Sequence, residues 1–406
     1  MANPDNKSNP SPRWTSLRTL RLAPIYLGFA ATGVGVALPG AILPVLSARW
    51  HLNDAQSGRL FLVAFLGTSI GALLVRGSLR RTLMLAAAAI ALAAVGLGVS
   101  SGPFAMLFMA IYGSGLGAAM TSISLIRQQQ ATRVGTELVR LNLLWAIGAL
   151  LAPSLASTAL AGGSIRPIFW TLGAAFALLA LWTLSLPDLR LDLPEAHTDA
   201  SGRTRVSRPW DVFKAVPLRL ILIVALSTGI EAAAGGWLAT YARRGDHRLA
   251  ATIAAPTCLW AGLLLSRLFW SIFDRWLPPD VVVRGSVTLM TISAILLMST
   301  HSAALILVAA FGLGFGLGPT YPLLLAWALR FHRGGAIFFL AGVGSSCLPW
   351  LTGTLSSARG SLRIGLGVPA AGTLVMLVIS LLLPLKSWRS QSTTIEPQAT
   401  HPPQTV

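Results

Sequence analysis

Twelve times along this chain the residues turn apolar for about twenty positions and then stop, a pattern no water-soluble fold can bury. The stretches fall at 22–47, 56–78, 81–100, 103–126, 139–161 and 166–186. After a break they resume at 217–241, 252–273, 281–300, 302–329, 335–357 and 362–385. Lipid offers backbone amides no partner, so each run must satisfy its own hydrogen bonds as a helix. Only 11% of the 406 residues are charged, against about 25% in an average soluble domain, which leaves too little polar surface for water. The expected class is an all-α integral membrane protein with twelve transmembrane helices. The first run is too long for a signal peptide and lacks a small-residue cleavage site, so it is expected to be retained.

The breaks divide the chain into a polar tail (1–20), a six-helix bundle (21–186), a polar linker (187–216), a second six-helix bundle (217–385) and a polar tail (386–406). An even number of spans puts both termini on one side. Lys and Arg on that side outnumber those on the other nearly three to one, with Arg267 inside a span. Basic residues collect on the cytoplasmic side, so the termini are expected in the cytoplasm and the protein in the cell (inner) membrane. The same bias accounts for the net charge of +18 without nucleic acid as a partner.

The halves echo each other. Gly148–Pro153 ("GALLAP") matches Gly344–Pro349 ("GSSCLP"), Gly113–Gly117 ("GSGLG") parallels the string from Gly312 to Gly318, and Arg76 aligns with Arg275, all at nearly one spacing. Parallel six-helix repeats are one plan of secondary transporters. The glycine strings follow no strand and do not read G-x-G-x-x-G, which excludes a dinucleotide loop. Spacing of four between Gly113 and Gly117, and between Gly314 and Gly318, is instead that of close helix packing. Pro39 and Pro44 point to a kink in the first span.

Glu231 stands in "STGIEAAAGGWLATYARR" with no Lys or Arg within ten residues. A carboxylate at mid-bilayer costs about 2.5–3.5 kcal/mol on insertion scales, so it must face a cavity or a partner. Ser227 and Thr228 share its side of the helix at helical spacing. Glu231 reads as a proton- or cation-coupling residue or an acceptor for substrate hydroxyls; the alternative is a protonated carboxyl bonded to a neighbouring helix.

These residues carry a family resemblance. "GIEAAAGGWLATYA" resembles the G-x-E-x(3)-G-x-W-x(3)-Y pattern of span seven in a sugar-transporting branch of the major facilitator superfamily, the fucose permease and sodium-dependent glucose transporter type. "LNLLWAIGALLAP", "GLGPTYPLLLAW" and "SLRIGLGVP" are similar to that branch as well. The resemblance implies two pseudo-symmetric six-helix bundles, alternating access and a sugar as solute. "GALLVRGSLRR" keeps the basic residues of the superfamily's loop signature, Arg76, Arg80 and Arg81, but has Val75 where an Asp is expected. The second copy keeps Asp274 and Arg275.

Other candidates follow from position. Trp237 can stack on the apolar face of a solute or anchor its helix, and Tyr241 sits beside Arg243 and Arg244, where interfacial anchoring suits it. Arg267 can pair with Glu231 across a cavity, or snorkel toward Asp274. Tyr112, Thr121, Asn142 and Trp145 are candidate lining residues, with interhelical bonding the other role for Asn142. Tyr321 stands between Pro319 and Pro322, where a broken helix would bare carbonyls. Arg127 opens "RQQQ", a solvated exit or an inner gate.

No P-loop sequence, no metal-type spacing and no polar catalytic cluster is visible. Six histidines are scattered, and Cys258 and Cys347 read as small buried hydrophobes. The sequence therefore points to no enzyme and no cofactor beyond H+ or Na+ as a coupling ion. It implies a monomer in the lipid bilayer that moves a small polar solute, by symport in the favoured version. An uncoupled facilitator, an exporter, and a sensor or scaffold that has lost transport are the alternatives.

Overall fold

The computed structural model describes residues 12–130, 134–186, 188, 197–198, 204–205, 212–245, 248–273, 277–331 and 335–382. Asp274 and Arg275, most of the linker, residues 1–11 and all of the C-terminal tail lie outside the described residues. The first half contains α1 (Pro12–Ala41), α2 (Leu43–Arg49), α3 (Asp54–Leu73), α4 (Leu79–Val99), α5 (Pro103–Gln130), α6 (Val134–Gly162) and α7 (Arg166–Thr183). In the linker, β1 (His197–Thr198) pairs antiparallel with β2 (Thr204–Arg205), and α8 (Val212–Ala215) follows. The second half contains α9 (Leu218–Gly245), α10 (Leu249–Phe273), α11 (Pro279–Ser299), α12 (Ala303–Phe331), α13 (Gly335–Arg359), α14 (Leu362–Gly365) and α15 (Gly367–Leu382).

Twelve helical stretches are long and apolar enough to cross a membrane. Leu92, Leu178, Val308 and Leu381 are each at least 60% exposed. In water that would be an unexplained apolar surface; around a helical bundle it is the face turned to lipid. The first span ends earlier than its apolar run, at Ala41. Pro44 lacks an N–H and crowds the carbonyl four residues back, so the chain restarts as α2 with Pro44 in its first turn.

The halves repeat in their pairings. In the first, α1 packs on α6, α3 on α5, and α4 on both α5 and α7. In the second, α9 packs on α13, α10 on α12, and α11 on both α12 and α15. Equivalent glycines allow equivalent contacts. A Cβ at Gly113 or Gly117 would strike the carbonyl oxygen of Ala64 or Thr68, and one at Gly314 that of Leu259, while one at Gly318 would crowd Ser266. The structural mate of Gly113 is thus Gly314, two residues beyond the Gly312 of the sequence match. Turns also correspond: Gly163 and Gly360 hold φ of +64° and +63° between the last two spans of each half, a conformation costly to residues with a Cβ.

Gly117→Leu is therefore expected to destabilise the first half by about 1–3 kcal/mol through overpacking. Thermal unfolding in detergent checks this; an unchanged transition would contradict the close approach of α5 to α3.

Across the halves, α3 packs on α13, α6 on α10, and α1 and α2 on α9. These seams enclose the site.

Candidate functional site

A cavity of about 220 Å³ lies between the halves, lined by residues of α1, α3, α5 and α6 on one side and α9, α10, α12 and α13 on the other. It has room for roughly seven waters at liquid density, the scale of a small metabolite. Most of its wall is apolar and aromatic. Glu231 and Arg267 are its only charged lining residues among the described residues.

Glu231 sits at the midpoint of α9, some 20 Å along the helix axis from Leu218. It is partly accessible, and the surface it shows is cavity surface. No hydrogen bond or ion pair within 4.0 Å holds its carboxylate among the described residues. Its charge interacts instead with Arg267 and Tyr321.

Arg267, only 8% exposed, does not snorkel. Its Nε donates to the Gly318 carbonyl at 3.4 Å and its Nη1 to the Asn142 carbonyl at 3.2 Å, across the seam between α10 and α6. The guanidinium lies 5.4 Å from the centre of the Trp145 ring, a cation–π distance. Trp145 in turn meets Trp260 edge-on at 5.8 Å.

The cavity is shut toward the loops opposite the termini. One turn past Glu231, a Cβ on Gly40 would strike the carbonyl oxygen of Gly235, so the backbones of α1 and α9 meet there. Farther out, Arg244 holds Asp54 in a two-pronged pair at 2.6 and 2.8 Å. Ser356 donates to the same carboxylate, and the Ala55 N–H donates to Ser357. Toward the face that carries the termini the cavity continues to Ala72 and Phe338, within a turn of the ends of α3 and α13, and Phe338 is 41% exposed.

Of the residues singled out from the sequence, Glu231, Arg267, Thr228, Thr121, Asn142, Trp145 and Tyr321 line this cavity. The Thr228 hydroxyl is committed to the Ala341 carbonyl at 2.6 Å. Ser227, Trp237, Tyr241 and Tyr112 do not line it. The cavity-facing arc of α9 runs through Thr228, Glu231, Ala232, Gly235 and Gly236. At 100° per residue, Trp237 stands about 120° from Glu231, and its indole donates to the Pro349 carbonyl at 2.9 Å in the seam with α13. Ser227 lies on the far side of Glu231 from Ala232, fully buried, and donates to Val224. Tyr241 donates to the Leu297 carbonyl and Tyr112 to the Gly35 carbonyl. Trp237, Tyr241 and Tyr112 tie neighbouring helices together, while Ser227 bonds back to its own helix.

Arg76 in the loop after α3 and Arg81 in the first turn of α4 are exposed, while Arg80 donates to the Leu186 carbonyl within the same half. Val75 is buried. Arg127 is no solvated exit. It is 6% exposed and pairs with Glu137 at 3.0 Å, where the Tyr26 hydroxyl also donates at 2.8 Å and Arg140 closes the far oxygen at 3.0 Å. Burial would raise the Glu137 carboxyl, but these three donors hold it below the ordinary carboxylate range. A depressed folded-state value stabilises above the unfolded value, and that stability is lost as pH falls through the folded one. Glu137→Gln is accordingly expected to cost about 1–3 kcal/mol at neutral pH, since it removes the countercharge while Gln130 still accepts from Arg127 at 3.1 Å. The deficit should shrink as wild type is acidified, which melting curves across pH would show; an equal deficit throughout would contradict it.

Sequence reasoning passed over Trp260, Phe61 and Phe65 in the wall. For Trp260 a signal existed, since tryptophans in spanning helices favour the interfaces and this one lies mid-span.

Residues 25–341, more than half of the chain, match the family model of the Major Facilitator Superfamily. No curated protein matches the sequence. The crystal structure of a nucleoside transporter, NupG, has a similar fold, with a TM-score of 0.68 at 13% identity, covering 91% of this chain and 99% of that one.

Proposed function

Since the chain belongs to the Major Facilitator Superfamily and is a secondary transporter of a small molecule, we propose that it is a proton-coupled symporter of a small polar solute in which Glu231 carries the proton. The observation that carries this reading is the unbonded Glu231 carboxylate at the closed end of a cavity between two repeated halves. Opening the Gly40–Gly235 seal while the Ala72–Phe338 end closes would expose Glu231 to the other side. That exchange is alternating access.

One observation favours a proton over sodium. The charge of Arg267 reaches Glu231 and would repel a second fixed cation, whereas a proton merely neutralises the carboxylate. We place the face of the termini in the cytoplasm on the bias of basic residues toward it, and the protein in the cell membrane. A sugar is the solute class suggested by the span-seven pattern.

Uptake by proteoliposomes tests the coupling. A pH gradient alone is expected to drive accumulation, by about tenfold per pH unit for one proton per solute, and a sodium gradient is expected to drive none. Equilibration without accumulation would instead mark a facilitator.

A further inference from the structure

The polar groups of the cavity are unevenly used. The hydroxyls of Thr68, Ser69, Thr228 and Ser345 all donate to backbone carbonyls. The Trp145 indole N–H has no hydrogen-bond partner among the described residues, although the residue is 6% exposed. Arg267 engages Nε and Nη1, which leaves N–H groups on Nη2 without an acceptor among the described residues. Both residues line the cavity, with the indole N–H itself sealed from solvent at its wall. A sealed indole N–H without a partner, beside a guanidinium edge without an acceptor, calls for an oxygen that the protein does not supply.

We propose that the transported solute is a small monocarboxylate, held by Arg267 and the Trp145 indole N–H while Glu231 carries a proton. This rests on the coupling role of Glu231 argued above and replaces the neutral sugar suggested by the span-seven pattern with an acid. In the empty cavity Glu231 and Arg267 offset each other's charge. When Glu231 takes a proton from water at the open end, Arg267 is left uncompensated in a low-dielectric site. A carboxylate restores neutrality. One proton and one monoanion then cross together without net charge, and both leave on the far side. A neutral solute would leave the guanidinium charge uncovered, and a cationic solute would double it. Arg267 lies nearer the open end than Glu231 does, so an incoming anion meets it first. Phe29, Phe61, Phe65 and Trp260 supply flat apolar walls for the rest of the solute.

Of the elements packed on α9, α10 brings Arg267 and α12 brings Tyr321 toward Glu231. The cavity-facing residues of α1 and α13 are apolar or carry hydroxyls. Helix α15 has no titratable side chain, and α2 has only Arg49 at its end. Among the described residues, Arg267 is therefore the permanent charge that acts on Glu231.

Matched pairs of acid and neutral compound test this as ligands that raise the melting temperature of the purified full chain: D-glucuronate with D-glucose, benzoate with benzyl alcohol, and lactate with 1,2-propanediol. At least one acid is expected to stabilise the protein while its neutral partner does not. That shift should be larger near pH 6 than near pH 8 in wild type and equal at both in Glu231→Gln. Trp145→Phe keeps the ring over Arg267 and removes only the N–H, so it should weaken binding of that acid roughly tenfold or more. Arg267→Gln should abolish it. Stabilisation by a neutral partner equal to that of its acid, no stabilisation by any acid, or full acid binding in Trp145→Phe would overturn the proposal. Acid selectivity indifferent to pH would remove the coupling role of Glu231 and leave the carboxylate site standing. Accumulation of D-glucose under a pH gradient, with no acid bound, would do the reverse.

Discussion

Glu231→Gln is expected to abolish accumulation of the solute while leaving exchange of internal for external solute intact. The amide keeps the size and hydrogen-bonding edge of the acid but cannot take up or release a proton. A one-unit pH gradient that supports about tenfold accumulation in wild type should then support none. Counterflow needs no net proton movement, so the halves can still exchange faces with solute bound. Loss of both activities would give Glu231 a structural or purely binding role, and retention of both would remove it from the mechanism. Arg267 refines the result. If the two charges offset each other in the empty site, neutralising both should be milder than the sum of the single changes.

Gly40→Leu should lock the transporter with its opposite face open. The two backbones meet where α1 passes α9, and a Cβ there would overlap the Gly235 carbonyl and crowd the Gly236 Cα at 2.8 Å. Neither atom belongs to a flexible side chain, so the seal cannot re-form by a rotamer change. Transport should fall to background in folded protein. A cysteine placed at Ala232, with Cys258 and Cys347 changed to serine, should become reactive to membrane-impermeant thiol reagents from the side opposite the termini. Unchanged protection would mean that the seal lies elsewhere. Arg244→Ala should move the same equilibrium the same way but more gently. Its pair with Asp54 is two-pronged yet half open to solvent, with the Arg244 side chain 48% exposed, and exposed pairs contribute about 1 kcal/mol or less.

What the sequence revealed and what it concealed divide along a physical line. A charge inside an apolar helix is conspicuous because lipid makes it costly, so Glu231 and Arg267 stood out before any coordinates. The glycines spaced at four stood out for the same kind of reason, since only close backbone approach rewards them, although their exact mates emerged only from the contacts of α12 with α10. Trp237 and Tyr241 show the limit. They belong to the same stretch as Glu231, but rotation about the helix axis carries Trp237 into the seam with α13 and sends Tyr241 to the Leu297 carbonyl. A linear pattern records residue types, and it does not record which neighbour occupies each side.

Tertiary partners were the least legible. Glu137 stands just before an apolar run, between Arg133 and Arg140, and its burial against Tyr26 and Arg127 depends on α1 and α5 arriving together at α6. The aromatic wall is likewise assembled from helices far apart in sequence: Phe61 comes from α3, Trp145 from α6 and Trp260 from α10. Spacing within one helix predicts none of these meetings. The unmatched indole of Trp145 is the clearest case, since an N–H reads as satisfied or orphaned only once every surrounding acceptor is placed.

Infrared difference spectroscopy during acid titration tests the central claim most directly, because it watches the Glu231 carboxyl itself. A protonated-carboxyl C=O band should grow as pH falls, shift promptly in D2O, and be missing from Glu231→Gln. A band assigned to Glu231 that is already full at alkaline pH and resists deuterium exchange would show a permanently protonated, dry side chain, and the coupling account would be wrong.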